Sequence, residues 1–173
     1  GRIGDPSVTP ALVELLDGSH DARRAAAVAL GYTAHSGEDL VIRRLARLLE
    51  TESDAPTRHF AAVSLGRIGG PTARLALMQA FEDPATDMRP WVVLGLAILE
   101  RNDPQGGLVD ELITRIHSES NANTLSAYLI GLGLTGSEQG LATLAEHTLA
   151  RQVEVAGYAA MALGLTGQPA AEP

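Results

Sequence analysis

Apolar residues along this chain recur at intervals of three and four positions, and no segment keeps the alternation of a half-buried strand. This spacing predicts helices throughout. One pattern returns five times: DARRAAAVALG from Asp21, PTRHFAAVSLG from Pro56, DMRPWVVLGLA from Asp87, NTLSAYLIGLG from Asn123 and EVAGYAAMALG from Glu154. One leucine anchors each copy, and the anchors lie 31 to 36 residues apart: Leu30, Leu65, Leu96, Leu132 and Leu163. This period indicates a two-helix repeat stacked into a solenoid.

The two helices of each repeat differ in the distribution of their apolar residues. The helices that contain the anchor leucines, here called first-type helices, are apolar around their whole circumference, which predicts that they form the buried part of the stack. The second-type helices, such as the one over residues 38–50, keep an apolar stripe and a solvent face. Helix-start residues include Ser19, Asp54 and Asn121. Five glycines are predicted to end helices with positive φ: Gly31, Gly66, Gly69, Gly136 and Gly167.

Arginines and aromatic residues occupy fixed positions of the repeat. Three arginines lie seven residues before the anchor leucine, and we expect them to join neighbouring repeats through ion pairs and carbonyl hydrogen bonds: Arg23, Arg58 and Arg89. Arg24 has no basic equivalent in the other repeats, so we expect it to be solvated. Trp91 shares a column with Ala25, Phe60, Ala127 and Tyr158, and we favour core packing over a binding hot spot for this column.

Three of the copies, DARRAAAVALG, RHFAAVSLGRIGG and AAMALGLTG, resemble the HEAT-like repeats, in the short bacterial form also found in phycobilisome lyases. The resemblance implies an all-α fold, an α-solenoid of about five HEAT-like two-helix repeats, in a single domain over residues 1–173. GRIG at residues 1–4 matches GRIG at residues 66–69, and the sequence stops after a first-type helix. We therefore expect a solenoid that is incomplete at both ends and part of a longer array.

Charge and composition narrow the classes of function. Thirteen basic residues against twenty-one acidic residues give a net charge of −8, which repels phosphate backbones and anionic lipid. The sequence has no cysteine and no lysine, which excludes thiolate nucleophiles, zinc–thiolate sites, Schiff bases and phosphate-loop lysines. The longest apolar stretch, from Trp91 to Leu99, is about half of the roughly 18 residues that span a bilayer. We expect neither a nucleic-acid partner nor membrane insertion.

The sequence contains only isolated or incomplete matches to cofactor-binding and catalytic motifs. GLGLTG at residues 131–136 fits G-x-G-x-x-G but is predicted at a helix end, whereas a dinucleotide site needs a strand-to-helix turn. His117 and Glu119 form an H-x-E without the cysteines of a zinc deaminase, and Glu146-His147 occurs once. We expect no cofactor, no metal and no catalytic residue, and therefore no enzyme.

The solvent faces of the second-type helices supply the candidate binding residues, because the resemblance implies that second helices line the concave surface of the solenoid. The charge of these faces changes along the chain, which suits a protein segment of patterned charge. The candidates are Arg43, Arg44, Arg47, Asp110, Glu111, Arg115 and His147. The favoured function is a protein-interaction scaffold or adaptor that binds a protein or peptide along the concave face. The alternatives are a bilin lyase-like or chaperone subunit and, opposed by the charge, a nucleic-acid-binding protein.

Overall fold

The structure is a computed structural model that describes residues 5–83 and 87–167. The GRIG copy at residues 1–4 lies outside them. Within the described residues there are ten α-helices and no strand, so the predicted all-α repeat fold is confirmed. The helices are α1 Thr9–Leu15, α2 His20–Thr33, α3 Asp39–Thr51, α4 Ala55–Ile68, α5 Pro71–Glu82, α6 Arg89–Asn102, α7 Leu108–Ser118, α8 Ala122–Thr135, α9 Leu141–His147 and α10 Val153–Leu165.

The chain divides into two compact units, residues 1–103 and 104–173. In unit 1 the first-type helices α2, α4 and α6 form one row, here called the first-type row, and α1, α3 and α5 pack along it. In unit 2 the first-type helices α8 and α10 pack together and contact α7 and α9. The anchor leucines Leu30, Leu65, Leu96 and Leu132 are completely buried. None of the described helices has the length and apolar character needed to cross a membrane.

Close backbone contact holds the first-type row together. A Cβ atom at Gly66 of α4 would lie 2.1 Å from the carbonyl oxygen of Gly95 in α6, so both helices touch through their main chains. A Cβ atom at Gly31 of α2 would lie 2.5 Å from Ser64 Oγ, and this hydroxyl donates a 2.8 Å hydrogen bond to the Ala27 carbonyl. Side chains larger than these would push neighbouring helices apart.

The prediction that five glycines end helices with positive φ is wrong for two of them. Gly31 and Gly66 lie inside α2 and α4, and neither has a positive φ, because they serve the helix crossing rather than the helix end. The prediction is confirmed for the glycines that do leave a helix with positive φ, at 76°, 72° and 69°: Gly69, Gly136 and Gly167. The predicted caps are also confirmed, since the side chains of three residues accept backbone N–H groups of the first helical turn: Ser19, Asp54 and Asn121.

The predicted carbonyl hydrogen bonds of the arginine ladder are present at all three positions, and the predicted ion pairs are present at Arg23 and Arg58. Arg23 donates to the Leu16 carbonyl at 2.9 Å and pairs with Glu52. Arg58 donates to the Leu49 carbonyl at 3.3 Å. Arg58 also forms an ion pair with Asp87 at 3.7 Å. Arg89 donates to the Asp83 carbonyl at 3.1 Å. Each guanidinium therefore caps the C-terminal end of the preceding second-type helix, where unpaired carbonyls favour a cation.

Arg24, predicted to be solvated, is 36% exposed but forms an ion pair that the sequence did not reveal. Its Nε and Nη2 donate to the two carboxylate oxygens of Asp54, at 2.8 Å and 2.5 Å. This bidentate pair joins α2 to the N-terminus of α4, where Asp54 also accepts from Thr57. The hydrogen bonds from Arg24 and Thr57 hold the pKa of Asp54 far below its ordinary range. The partner of Arg24 is thus a helix cap in the next repeat, which no repeat column reveals.

We predict that Gly66→Ala and Gly157→Ala change stability in opposite directions. Alanine at residue 66 must displace backbone of α6, and such overpacking costs about 1–3 kcal/mol. Gly157 lies on the exposed side of α10, and a Cβ there meets nothing within 4 Å, so the higher helix propensity of alanine should stabilise by up to about 1 kcal/mol. Urea unfolding followed by circular dichroism measures both. A Gly66→Ala protein as stable as the wild type would contradict the close packing.

Candidate functional site

The first-type row of unit 1 has an apolar side that no other described element of the unit covers. Four positions of each repeat share this side, at nine, five and two residues before the anchor leucine and two residues after it, the 4–3–4 spacing of one helix face. In the repeat of α6 the first of these positions, Asp87, lies in the turn before the helix. The last three of these positions in α2, α4 and α6 form the outward face: Ala25, Val28, Tyr32, Phe60, Val63, Arg67, Trp91, Leu94 and Ile98. Eight of these nine residues are apolar.

Aromatic residues are the most exposed large side chains of the outward face. Tyr32 is 43% exposed, Phe60 37% and Trp91 36%. The core-packing prediction for Trp91 is therefore wrong, and the first-type helices, although they form the buried part of the stack, keep one side open to solvent. Their other sides are covered by the neighbouring first-type helices and by the second-type helices, which leaves the outward side in water. Four residues of the outward face are exposed and the other five are half-buried, yet all except Arg67 are apolar.

Two polar groups lie against these rings. The His59 imidazole stacks on Trp91, with ring centroids 4.4 Å apart and planes inclined by 13°. The Arg67 guanidinium lies 3.8 Å above the Tyr32 ring, a cation–π contact. Burial lowers the pKa of His59 below its ordinary value of 6.5, and Arg58 lowers it further, whereas Asp87 and Asp54 act in the opposite direction. Both contacts order aromatic rings that are open to solvent on the outward face.

A shallow cleft of about 500 Å³ opens on the outward face between α2 and α4. Ala25, Val28 and Ala29 of α2 line it together with Phe60 of α4. The polar residues Asp21 and Arg24 also line the cleft. The small side chains of α2 thus leave room beside an aromatic ring.

The same positions are apolar in unit 2. They hold Ala127, Ile130 and Leu134 on α8, and Tyr158, Met161 and Leu165 on α10. Met161 is 57% exposed and Tyr158 44%. An apolar outward side is therefore a property of the first-type helices in each unit. The signal for it was present in the sequence as the aromatic column, but a column of large apolar residues is equally typical of a core.

The predicted binding residues of unit 1 lie together on α3. Arg43 and Arg47 are exposed, and Arg43 is 3.9 Å from Asp39 of its own helix. Arg44 is half-buried and donates to Asp17 at 2.5 Å, a contact that lowers the pKa of Asp17. One of the three arginines is thus used within the fold, and the other two reach solvent.

The predicted binding residues of unit 2 lie on α7 and α9. Arg115 donates to Glu111 of the same helix at 2.5 Å, and Asp110 accepts a hydrogen bond from Gln139. The His147 ring lies 6.2 Å from that of His117, and its Nδ1 is 2.8 Å from the Thr143 carbonyl. Across residues 5–83 and 87–167, histidine and acidic side chains do not gather in a group that could hold a metal ion. The role of these residues in binding stays a prediction.

The fold defines an all-α protein built from two-helix repeats. Residues 57–83, which cover most of α4 and the whole of α5, match the family model described as PBS lyase HEAT-like repeat. Over that segment the match confirms the resemblance to HEAT-like repeats. No curated protein matches the chain.

We predict that Trp91→Ala raises the pKa of His59 toward 6.5. Removal of the indole exposes the imidazole to water, and the charged ring is then no longer disfavoured by burial. Proton NMR titration of the histidine ring signals measures this pKa in both proteins. Leu75→Ala is the matched control, because it removes an exposed apolar side chain from α5. An unchanged pKa in Trp91→Ala would show that the stack does not desolvate His59.

Proposed function

We propose that this protein is a non-catalytic interaction scaffold that binds a partner protein through the outward face of its first-type helices. The observation that carries the proposal is the exposed apolar surface of unit 1, in which Tyr32, Phe60 and Trp91 remain open to solvent. Contiguous apolar surface on a folded protein is typical of a protein-interaction site. The HEAT-like match supports the proposal, because repeat solenoids present extended binding surfaces.

The proposed site differs from the expectation from the sequence. It lies on the first-type helices, whereas the sequence analysis places the candidate binding residues on the solvent faces of the second-type helices.

The residue types of the face suit strong binding. Tyrosine, tryptophan and arginine are the side chains most often found at binding hot spots, and the face holds Tyr32, Trp91 and Arg67. The rings of Tyr32 and Trp91 are already ordered by Arg67 and His59. Ordering before binding lowers the entropy that binding costs, which is about 0.5–1.5 kcal/mol for each mobile side chain.

A charge-insertion experiment tests the proposal. The Phe60→Glu and Trp91→Glu double variant places two carboxylates on the face while the anchor leucines stay buried. A partner is first isolated from cells that produce this chain, then purified, and its affinity is measured by titration calorimetry. We expect the double variant to bind at least about tenfold more weakly, the loss of one hot spot.

The control for this experiment reverses the charge of the predicted residues on α3, by Arg43→Glu together with Arg47→Glu. Both side chains are exposed on the opposite row, so the control should keep wild-type affinity. Circular dichroism confirms that both variants are folded. Loss of binding in the α3 variant, with full binding by the double variant on the outward face, would overturn the proposal in favour of the second-type helices.

A further inference from the structure

Three residues of the outward face cross the first-type row at one level. Ala25, Phe60 and Trp91 occupy the same repeat position on α2, α4 and α6, five residues before the anchor leucine. Helices in contact lie about 8–10 Å apart, so this level repeats at that distance across the row. A polyproline II helix rises about 3.1 Å per residue with three residues per turn, a repeat of about 9 Å. A segment of this kind would place one side chain per turn against each helix of the row.

The surface at this level suits proline rings. Two alanines that line the cleft, Ala25 and Ala29, have side chains small enough to leave room for a pyrrolidine ring beside Phe60. On the next helix, Trp91 presents an indole whose orientation is fixed by the stack with His59. Grooves lined by aromatic rings are the usual recognition surface for polyproline II segments.

Acidic side chains at the edge of the outward face favour basic side chains at the remaining positions of such a segment. Asp21 of α2 and Asp87, which lies in the turn two residues before α6, occupy the position nine residues before the anchor leucine, and their side chains are 94% and 78% exposed. Asp21 lies 3.4 Å from Arg24, whose guanidinium is held by Asp54, and Asp87 lies 3.7 Å from Arg58. Both carboxylates therefore remain accessible to further cations.

The distance between these carboxylates fits the same repeat. They are two helices apart, about 16–20 Å, and six residues of polyproline II span about 19 Å. Basic residues on every third position would thus face both carboxylates while prolines face the rings. Residues 1–103 contain fourteen acidic and eleven basic residues, and this net charge of −3 adds long-range attraction for a cationic partner.

We propose that the outward face of unit 1 binds a basic, proline-rich segment of a partner protein, in the polyproline II conformation and across α2, α4 and α6. This inference rests on the proposed function and adds the chemical class of the partner. Prolines contact Phe60 and Trp91, and every third residue, arginine or lysine, faces Asp21 and Asp87.

Synthetic peptides test the partner class with the complete chain. The probe is a fluorescein-labelled peptide of five Pro-Pro-Arg triplets, and its binding is followed by fluorescence anisotropy and by the emission of Trp91, the single tryptophan. Five Gly-Ser-Arg triplets keep the charge without the polyproline II conformation, and five Pro-Pro-Glu triplets reverse the charge. We expect both controls to bind at least about tenfold more weakly than the probe. Equal binding of the Gly-Ser-Arg peptide, or no binding of the probe at about 1 mM, would overturn the inference.

Variants locate the peptide on the face. Phe60→Ala and Trp91→Ala should each weaken probe binding about fivefold or more, a typical cost for an aromatic contact. Asp21→Asn with Asp87→Asn should reduce both the affinity and its dependence on salt. Leu75→Ala, which removes a 59% exposed leucine from α5, is the matched control and should bind as the wild type does. Full binding by both aromatic variants would overturn the location.

The two proposals fail in different ways. If the probe does not bind, but the Phe60→Glu and Trp91→Glu double variant still loses its protein partner, the scaffold proposal stands and the proline-rich class is rejected. If that variant keeps its partner, the outward face is not the binding site and both proposals fall.

Discussion

Contact between the backbones of neighbouring first-type helices is the constraint on which the rest of unit 1 depends. At the crossing of α4 and α6 two glycines meet, and at the crossing of α2 and α4 a glycine meets a serine. Contacts of this kind fix both the distance and the register of the helices, because the glycine positions leave no room for a Cβ. The anchor leucines then fall at equivalent buried places, and the residues on the opposite side of each helix align into a regular outward face.

The arginine ladder connects neighbouring helices near the N-terminal ends of the first-type helices. Arg23 and Arg58 bind carbonyl groups that end the preceding second-type helix, and each also pairs with an acidic residue of the following repeat. A guanidinium can serve both partners because its donors form a planar fork. Glycine contacts thus set how close the first-type helices are, while the ladder ties each of them to the second-type helices on either side.

Much of this fold could be predicted from the sequence, because each residue of a repeat can be compared with the residues at the equivalent position in the other copies. The period, the two helix types, the buried leucines and the ladder all follow from columns of the repeat. Features without an equivalent could not be found in this way, and Arg24 is the clearest case, since its partner Asp54 belongs to the cap of a different helix. Gly31 and Gly66 were misassigned because glycine serves both helix ends and helix crossings, and only neighbouring backbones distinguish the two.

The outward face could not be predicted from the sequence, for a related reason. An alanine-rich helix with aromatic residues has the composition of a core helix, and the hydrophobic pattern does not specify how many of its sides a neighbour covers. In two layers of helices each first-type helix has neighbours beside it and behind it, and none in front. Water-facing residues of such a helix are free to become polar at no cost to packing. That they remain apolar in α2, α4 and α6, with His59 and Arg67 in contact with their rings, is the feature of the fold that packing leaves unexplained and that the proposed binding function accounts for.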